Sequence, residues 1–230
     1  MKKNVIPALI ILIMGVLVLL PSHPIIGPTE AFGQSARKVL MIPREGYSQD
    51  LDLMIKMEVG VMTLLLKNAG FDVDIATTSG YPIIGPTQKI EKLMRLTEIN
   101  LDNYVGIIMP CMAVGLFPGP PVAPDAVAAV KRALAEGKPV AASANSTIIL
   151  ADAGVLKGKR YAFVTNPLET TQRWTRKDLR FEGAIYSGPG VVQDGQIITS
   201  GICPRLEIAV GMQSGVVELT QKFIAAIKLK

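Results

Sequence analysis

The alternation of strand and helix patterns from residue 38 onward constrains the fold of this chain more than any other feature. Short apolar runs typical of buried strands span 38–43, 105–109, 139–143 and 161–165, and an alternating run typical of a half-buried strand spans 71–77. Longer stretches typical of helices lie between and after them, at 51–68, 124–136, 147–153 and 206–228. This order predicts an α/β fold, a three-layer sandwich with a mostly parallel central sheet.

The end of the sheet where a ligand would bind can be located from the same pattern. In open parallel sheets ligands bind outside the carboxyl ends of the strands. The stretches expected there are 43–49, 110–115, 143–147 and 200–205. A hairpin over 191–200, turning on Asp194 and Gly195, completes the predicted sheet.

The first 33 residues have the layout of a secretory signal peptide. Lys2 and Lys3 precede an uncharged apolar run over 5–20, and small residues follow at 31–33. The run is shorter than the roughly 20 residues of a membrane span. We expect residues 1–33 to be either a cleaved signal peptide or an uncleaved N-terminal anchor. If the segment is uncleaved, it is the only part of the chain expected to contact a membrane. Residues 34–230 form one domain, which is periplasmic or secreted.

The composition excludes several classes of function. The only histidine, His23, lies in the export segment, so the domain cannot use Ser-His-Asp or Cys-His catalysis or histidine-bound zinc. The net charge of +5 is spread along the chain and aromatic residues make up 5%, so nucleic acid is not an expected partner. No cofactor and no metal are expected.

Glu58 is the first candidate functional residue. On the predicted helix, Met54, Glu58, Val61 and Leu65 share one apolar face. A carboxyl group in such a stripe must be paired or stay protonated with a raised pKa, and such groups are common at functional sites. The alternative is a glutamate at the edge of the stripe whose carboxylate reaches water.

A second candidate is the turn 143–147, between a predicted buried strand and a helix. Strand–turn–helix connections present the nucleophile in many hydrolases, and Ser143, Ser146 and Thr147 offer hydroxyl groups here. Serine and threonine are also ordinary helix N-caps, and a serine nucleophile would need a base other than histidine. Both interpretations remain open from the pattern.

The two cysteines, Cys111 and Cys203, each follow a predicted strand and should lie at the ligand-binding edge. Each could be an inert small hydrophobic residue, a partner in a disulfide or redox pair, or a nucleophile. Neither belongs to a CxxC motif, so the sequence does not support zinc binding or thioredoxin-like chemistry.

Several motifs in the same order resemble the ThiJ/PfpI superfamily, within the flavodoxin-like class I glutamine amidotransferase-like fold. These are Glu58 followed by LLLKNAG at 64–70, LDNYVGIIMP at 101–110, KPVAASA at 138–144 with AGVLKG at 153–158, and VQDGQIITS at 192–200. The resemblance covers about 38–227 and implies a site of a glutamate and an elbow cysteine. Members commonly dimerise, so a homodimer is possible.

The sequence departs from the family pattern at the elbow. Where the family has cysteine, histidine and glycine, this chain has Ala144, Asn145 and Ser146. The family's Pro-Gly-Gly loop is Pro110, Cys111 and Met112. Without the thiol, covalent chemistry of the family type is not expected.

Two functions are compatible with these residues. The first is a non-catalytic or repurposed domain that binds an unknown small molecule or protein in a pocket formed by Glu58, Cys111, Met112, Ala144 and Asn145, with Ser146 and Cys203 beside it. The second is a hydrolase-like or deglycase-like enzyme whose nucleophile has moved to Cys111, with Glu58 as its acid/base group.

Overall fold

In the computed structural model, one seven-stranded sheet lies between two layers of helices. The structure describes residues 37–45, 51–111, 123–165 and 167–229. The predicted export segment and Met112 lie outside these residues. The described part belongs to one compact unit, Ser35–Lys230. Its strands are β1 (Arg37–Met41), β2 (Phe71–Thr77), β3 (Ile83–Ile84), β4 (Lys89–Ile90), β5 (Met94–Arg95), β6 (Tyr104–Met109), β7 (Val140–Ser143), β8 (Arg160–Tyr161), β9 (Ile185–Tyr186), β10 (Val191–Asp194) and β11 (Ile197–Ser200).

The central sheet has the strand order β10-β11-β7-β6-β1-β2-β5. All neighbouring strands pair in parallel except β10 and β11, which form the predicted antiparallel hairpin. The mostly parallel α/β sheet predicted from the sequence is therefore confirmed. Consequently, the carboxyl ends of β1, β6, β7 and β11 meet at one edge, with β7 between β6 and β11.

Helices cover both faces of the sheet. The helices are α1 (Leu51–Met54), α2 (Val61–Asn68), α3 (Pro124–Ala135), α4 (Thr147–Asp152), α5 (Thr171–Lys177), α6 (Pro204–Val210) and α7 (Val216–Lys228). One buried apolar cluster includes α3 and α4, and a second, on the other face, includes α1, α2 and α7. Apolar burial on both faces explains the near-continuous hydrophobic runs of the central strands.

Two predicted elements differ from the structure. The strand expected at 161–165 is limited to β8, which pairs with β9 in a separate two-stranded sheet. The helix expected over 206–228 is two helices, because Gly211 adopts a left-handed conformation (φ 68°) that ends α6. Among the described residues no helix is long and apolar enough to cross a membrane.

Gly106 in β6 lies at a close contact between the sheet and α7. A Cβ atom at this position would lie 2.8 Å from the Pro139 carbonyl oxygen and 2.9 Å from Phe223 Cζ. We predict that Gly106→Ala lowers the free energy of unfolding by about 1–3 kcal/mol because backbone and ring must move apart. Gly190→Ala is the matched control, since nothing lies within 4 Å of its Cβ position. Urea denaturation measures both, and equal stabilities would contradict the packing described.

Candidate functional site

Glu58 is placed by a π-helical turn, Ile55–Gly60, that joins α1 to α2. The wider π turn shifts the buried stripe, so that it continues from Glu58 to Met62 and Leu66 in steps of four. Val61 and Leu65, predicted to share the stripe, are only half-buried. Single π turns are frequent at functional sites. The prediction that Glu58 lies in the apolar stripe is confirmed, with its side chain 3% exposed.

Two strand ends bring the cysteines to this carboxyl group. Cys111 follows β6 after Pro110, and Cys203 follows β11 and directly precedes α6. The Cys111 backbone N–H donates a hydrogen bond to Glu58 Oε2 at 2.8 Å. The two sulfur atoms and a carboxyl oxygen of Glu58 all lie within 4.8 Å of one another. The sequence pattern placed the two cysteines at the ligand-binding edge and Glu58 in a pocket with Cys111, and the structure brings the three residues into one cluster, with neither cysteine in a disulfide.

The turn after β7 has the strained geometry of a nucleophile elbow but carries a methyl group. Ala144 has φ 47°, the only positive φ of a non-glycine residue in the described part of the chain, and it is fully buried. Such backbone costs on the order of 1 kcal/mol and is commonly retained at functional sites. The turn continues as a 3₁₀ segment, Ala144–Ser146, into α4.

Polar groups of the turn face the cluster. The Ser146 hydroxyl donates to the Pro110 carbonyl, which ties the elbow to the end of β6. The Asn145 backbone N–H donates toward the Cys111 sulfur, and the buried Ser143 hydroxyl lies close enough to Glu58 to lower its pKa. Ser146 therefore acts at this site as a hydrogen-bonding group, whereas the buried Ser143 hydroxyl makes no hydrogen bond of ordinary geometry among the described residues. Neither supplies an N-cap bond to its helix.

Burial raises the pKa of Glu58 from 4.5 to about 8, and the nearby Cys203 sulfur adds to the increase. The Cys111 N–H, the Ser143 hydroxyl and the positive charge of Arg44 act in the opposite direction without cancelling it. Glu58 is therefore a neutral carboxylic acid at pH 7. Arg44 was not identified from the sequence, although it follows β1 inside the stretch 43–49 expected at the ligand-binding edge.

The two thiols have opposite pKa shifts. The pKa of Cys203 is lowered to about 7 by a hydrogen bond from the Cys111 thiol and by the backbone N–H groups of Arg205 and Leu206 at the start of α6. The pKa of Cys111 is raised, because its proton is held by Cys203 and because its sulfur is buried. Cys203 is thus the thiolate of the pair, and Cys111 is the neutral thiol that donates to it.

A model of the DJ-1/PfpI family matches residues 38–207. This chain belongs to the DJ-1/PfpI family. An uncharacterized protein of Methanocaldococcus jannaschii is 29% identical over 164 residues, which cover 71% of this chain and 74% of that protein. A deglycase of Thermococcus kodakarensis is 28% identical over 167 residues, covering 71% of this chain and 89% of the deglycase.

Solved structures show the same fold. A ThiJ/PfpI domain protein from Brachyspira murdochii superposes with a TM-score of 0.61 at 12% identity, covering 84% of this chain and 97% of that protein. Glyoxalase III from Candida albicans gives a TM-score of 0.59 at 15% identity, covering 85% and 99%. The flavodoxin-like, class I glutamine amidotransferase-like architecture implied by the sequence motifs is thereby confirmed for this DJ-1/PfpI member.

Protonation of Glu58 should make the stability of the protein depend on pH. The folded state holds this proton more tightly than the unfolded chain, so the stabilisation is complete below about pH 4.5 and is lost as the pH rises toward 8. We predict that the free energy of unfolding falls by about 1 kcal/mol per pH unit between pH 5 and pH 7 through this group alone.

Urea denaturation at several pH values, with reductant and chelator present, measures this dependence. Glu58→Gln should flatten the slope, whereas Glu98→Gln, at an exposed position, should leave it unchanged. A wild-type slope identical to that of Glu58→Gln would show that the carboxyl group is ionised in the folded protein.

Proposed function

We propose that this chain is an exported, repurposed DJ-1/PfpI protein that binds a small ligand at the strand-end cluster and lacks the elbow-thiol chemistry of its family. The observation that carries the proposal is the methyl group of Ala144 on a backbone with φ 47°. The motif alignment assigns the family's cysteine to this position. Loss of a catalytic nucleophile removes several orders of magnitude of rate, so family activity is not carried over.

The remaining thiols support binding better than catalysis. Cys111 is a neutral thiol at pH 7, and a thiol is a much weaker nucleophile than a thiolate. Cys203 has the lowered pKa, but its residue is 1% exposed and its sulfur already accepts several hydrogen bonds. A thiolate held in this way is poorly placed to attack a substrate that arrives from solvent.

Export is part of this proposal and rests on the layout of residues 1–33. The charged start, the apolar run over 5–20 and the small residues at 31–33 support a signal peptide or an anchor. The intact mass of the protein recovered from the native host distinguishes the two, since cleavage removes about 33 residues.

We predict that the wild-type protein does not turn over methylglyoxal, and that Ala144→Cys creates an alkylatable thiol at the elbow. The new sulfur would stand on backbone that already has the required conformation, near the carboxyl group of Glu58. Methylglyoxal consumption and peptide mass mapping after iodoacetamide treatment provide the two measurements. Ala128→Cys, on the exposed side of α3, controls for an added thiol away from the site.

Wild-type turnover above the rate of a protein-free control, lost on substitution of either native cysteine, would contradict a binding role. Elbow-thiol labelling in Ala144→Cys without turnover would agree with it, because the thiol is only one part of the family's site.

A second candidate function is thiol catalysis from the relocated cysteines. It is favoured by the pKa of about 7 for Cys203 and by the protonated Glu58 beside it, which could act as a general acid. The sequence suggested Cys111 as the nucleophile, whereas the pKa directions favour Cys203. The relatives named as a deglycase and a glyoxalase III make small carbonyl compounds the first substrates to assay.

The single-thiol variants test this second candidate. If Cys203 is a nucleophile, Cys111→Ser should still be alkylated rapidly at neutral pH and Cys203→Ser should not. If the site only binds a ligand, both variants should react with iodoacetamide no faster than an unfolded-chain thiol.

A further inference from the structure

We propose that Glu58, Cys111 and Cys203 form a binding site for a thiophilic metal ion, with Zn²⁺ as the ion that fits best. The inference rests on the proposed binding function and names the ligand class of the same site. Two cysteine sulfurs and one carboxyl oxygen are the donor types that structural and catalytic zinc sites use. Soft sulfur donors favour Zn²⁺ over Mg²⁺ or Ca²⁺, which prefer oxygen ligands alone.

The distances between the donor atoms suit one tetrahedral ion. Zinc–sulfur bonds of about 2.3 Å and zinc–oxygen bonds of about 2.1 Å place the ligand atoms of a tetrahedron roughly 3.5–3.8 Å apart. The three donor atoms lie within 4.8 Å of one another. Small side-chain rotations therefore bring them to bonding distance without movement of the strands.

Backbone N–H groups donate hydrogen bonds to each of the three metal-binding side chains. The Cys111 N–H bonds to Glu58 Oε2, the Asn145 N–H points to the Cys111 sulfur, and amides at the start of α6 point to the Cys203 sulfur. Hydrogen bonds of this kind orient metal ligands and stabilise the anionic form that the ligands take once the ion displaces their protons. The site is therefore preorganised by groups outside the donor set.

The sheet topology places the two sulfurs on either side of the elbow. Cys111 and Cys203 follow β6 and β11, which flank β7, and the elbow after β7 carries only the methyl group of Ala144. The Cys111 residue as a whole is half-buried, but its sulfur, Glu58 and Cys203 are buried, so an ion bound here would be enclosed by the protein. Three protein ligands leave a fourth coordination position for water or a small ligand.

Charge balance also favours a divalent cation. With both thiols and the carboxyl group deprotonated, the donors carry three negative charges, which Zn²⁺ reduces to one. The positive charge of Arg44 acts on Glu58 and compensates the remainder. Binding displaces protons from the donors to the buffer and involves no change in oxidation state.

Titration with Co²⁺ tests the site, because tetrahedral cobalt bound to thiolates gives a sulfur-to-metal charge-transfer band. The protein is reduced, stripped with chelator and titrated anaerobically with Co²⁺ alone, then with Zn²⁺. We expect one equivalent of Co²⁺ with the charge-transfer band and complete displacement by Zn²⁺. The chain has only two cysteines, so this band requires Cys111, Cys203 or both.

The variants separate the three donors. Cys111→Ser and Cys203→Ser should each lower the charge-transfer intensity by about half or abolish it, and Glu58→Gln should weaken Zn²⁺ binding by at least ~10-fold. Glu98→Gln serves as the carboxylate control and should bind as the wild type does. Circular dichroism confirms that each variant is folded.

Two results would overturn the metal site. One is the failure of the folded, fully reduced wild-type protein to bind Zn²⁺. The other is binding of Co²⁺ without a thiolate band or with an affinity that neither cysteine variant changes. Neither result depends on methylglyoxal turnover, so failure of the metal site is distinguishable from failure of the proposed binding function.

Discussion

The burial of the Glu58 carboxyl group is the constraint on which the rest of the site depends. A carboxyl group that loses its water must keep a proton or gain hydrogen-bond donors and positive charge. Here the Cys111 N–H supplies a donor at 2.8 Å, and Arg44 supplies the charge. This donor belongs to Cys111, the first residue after Pro110. The path of the chain after β6 therefore fixes where the carboxyl group can lie, and the carboxyl group in turn holds the chain on that path.

The turn after β7 has a strained backbone conformation although the residue that adopts it is an alanine. Ala144 retains a positive φ that an alanine adopts at some cost, although glycine would adopt it freely. The Ser146 bond to the Pro110 carbonyl and the complete burial of Ala144 and Ser146 hold this conformation. The geometry is therefore imposed by packing between β7, α4 and the end of β6, and the side chain at the elbow is free to change.

The order of strands and helices was predictable from the sequence because burial on both sheet faces leaves continuous apolar runs. The hairpin at Asp194 and Gly195 was also correct, since its turn has a local signature. The π turn, the break at Gly211 and the short β8 were not, because each depends on tertiary packing that a local pattern does not record. Glu58 was identified because a charge in an apolar stripe is itself a visible exception.

The pairing of Cys111 with Cys203 could not have been derived from spacing. The two residues are far apart in sequence and neither lies in a short metal or redox motif, so only the strand order β11-β7-β6 brings their sulfurs together. The sequence pattern predicts that both cysteines lie at the ligand-binding edge, which leaves an inert, a paired and a nucleophilic role open for each. That the two sulfurs and the Glu58 carboxyl group could bind one ion together is not visible from the pattern, because the distance between the sulfurs depends on how β6, β7 and β11 pair in the sheet.

Protons, a metal ion and a disulfide bond compete for the same two sulfur atoms. In the metal-free dithiol, Cys111 keeps its proton and donates it to Cys203, and Glu58 is neutral. A divalent cation would replace those protons and draw all three donors into one coordination sphere. Oxidation to a disulfide would remove the Cys203 thiolate and the Cys111 thiol and leave Glu58 without its negative neighbour. If the protein is exported, as we propose, it meets both oxidants and metal ions, and the compartment as well as the fold then decides the occupant of this cluster.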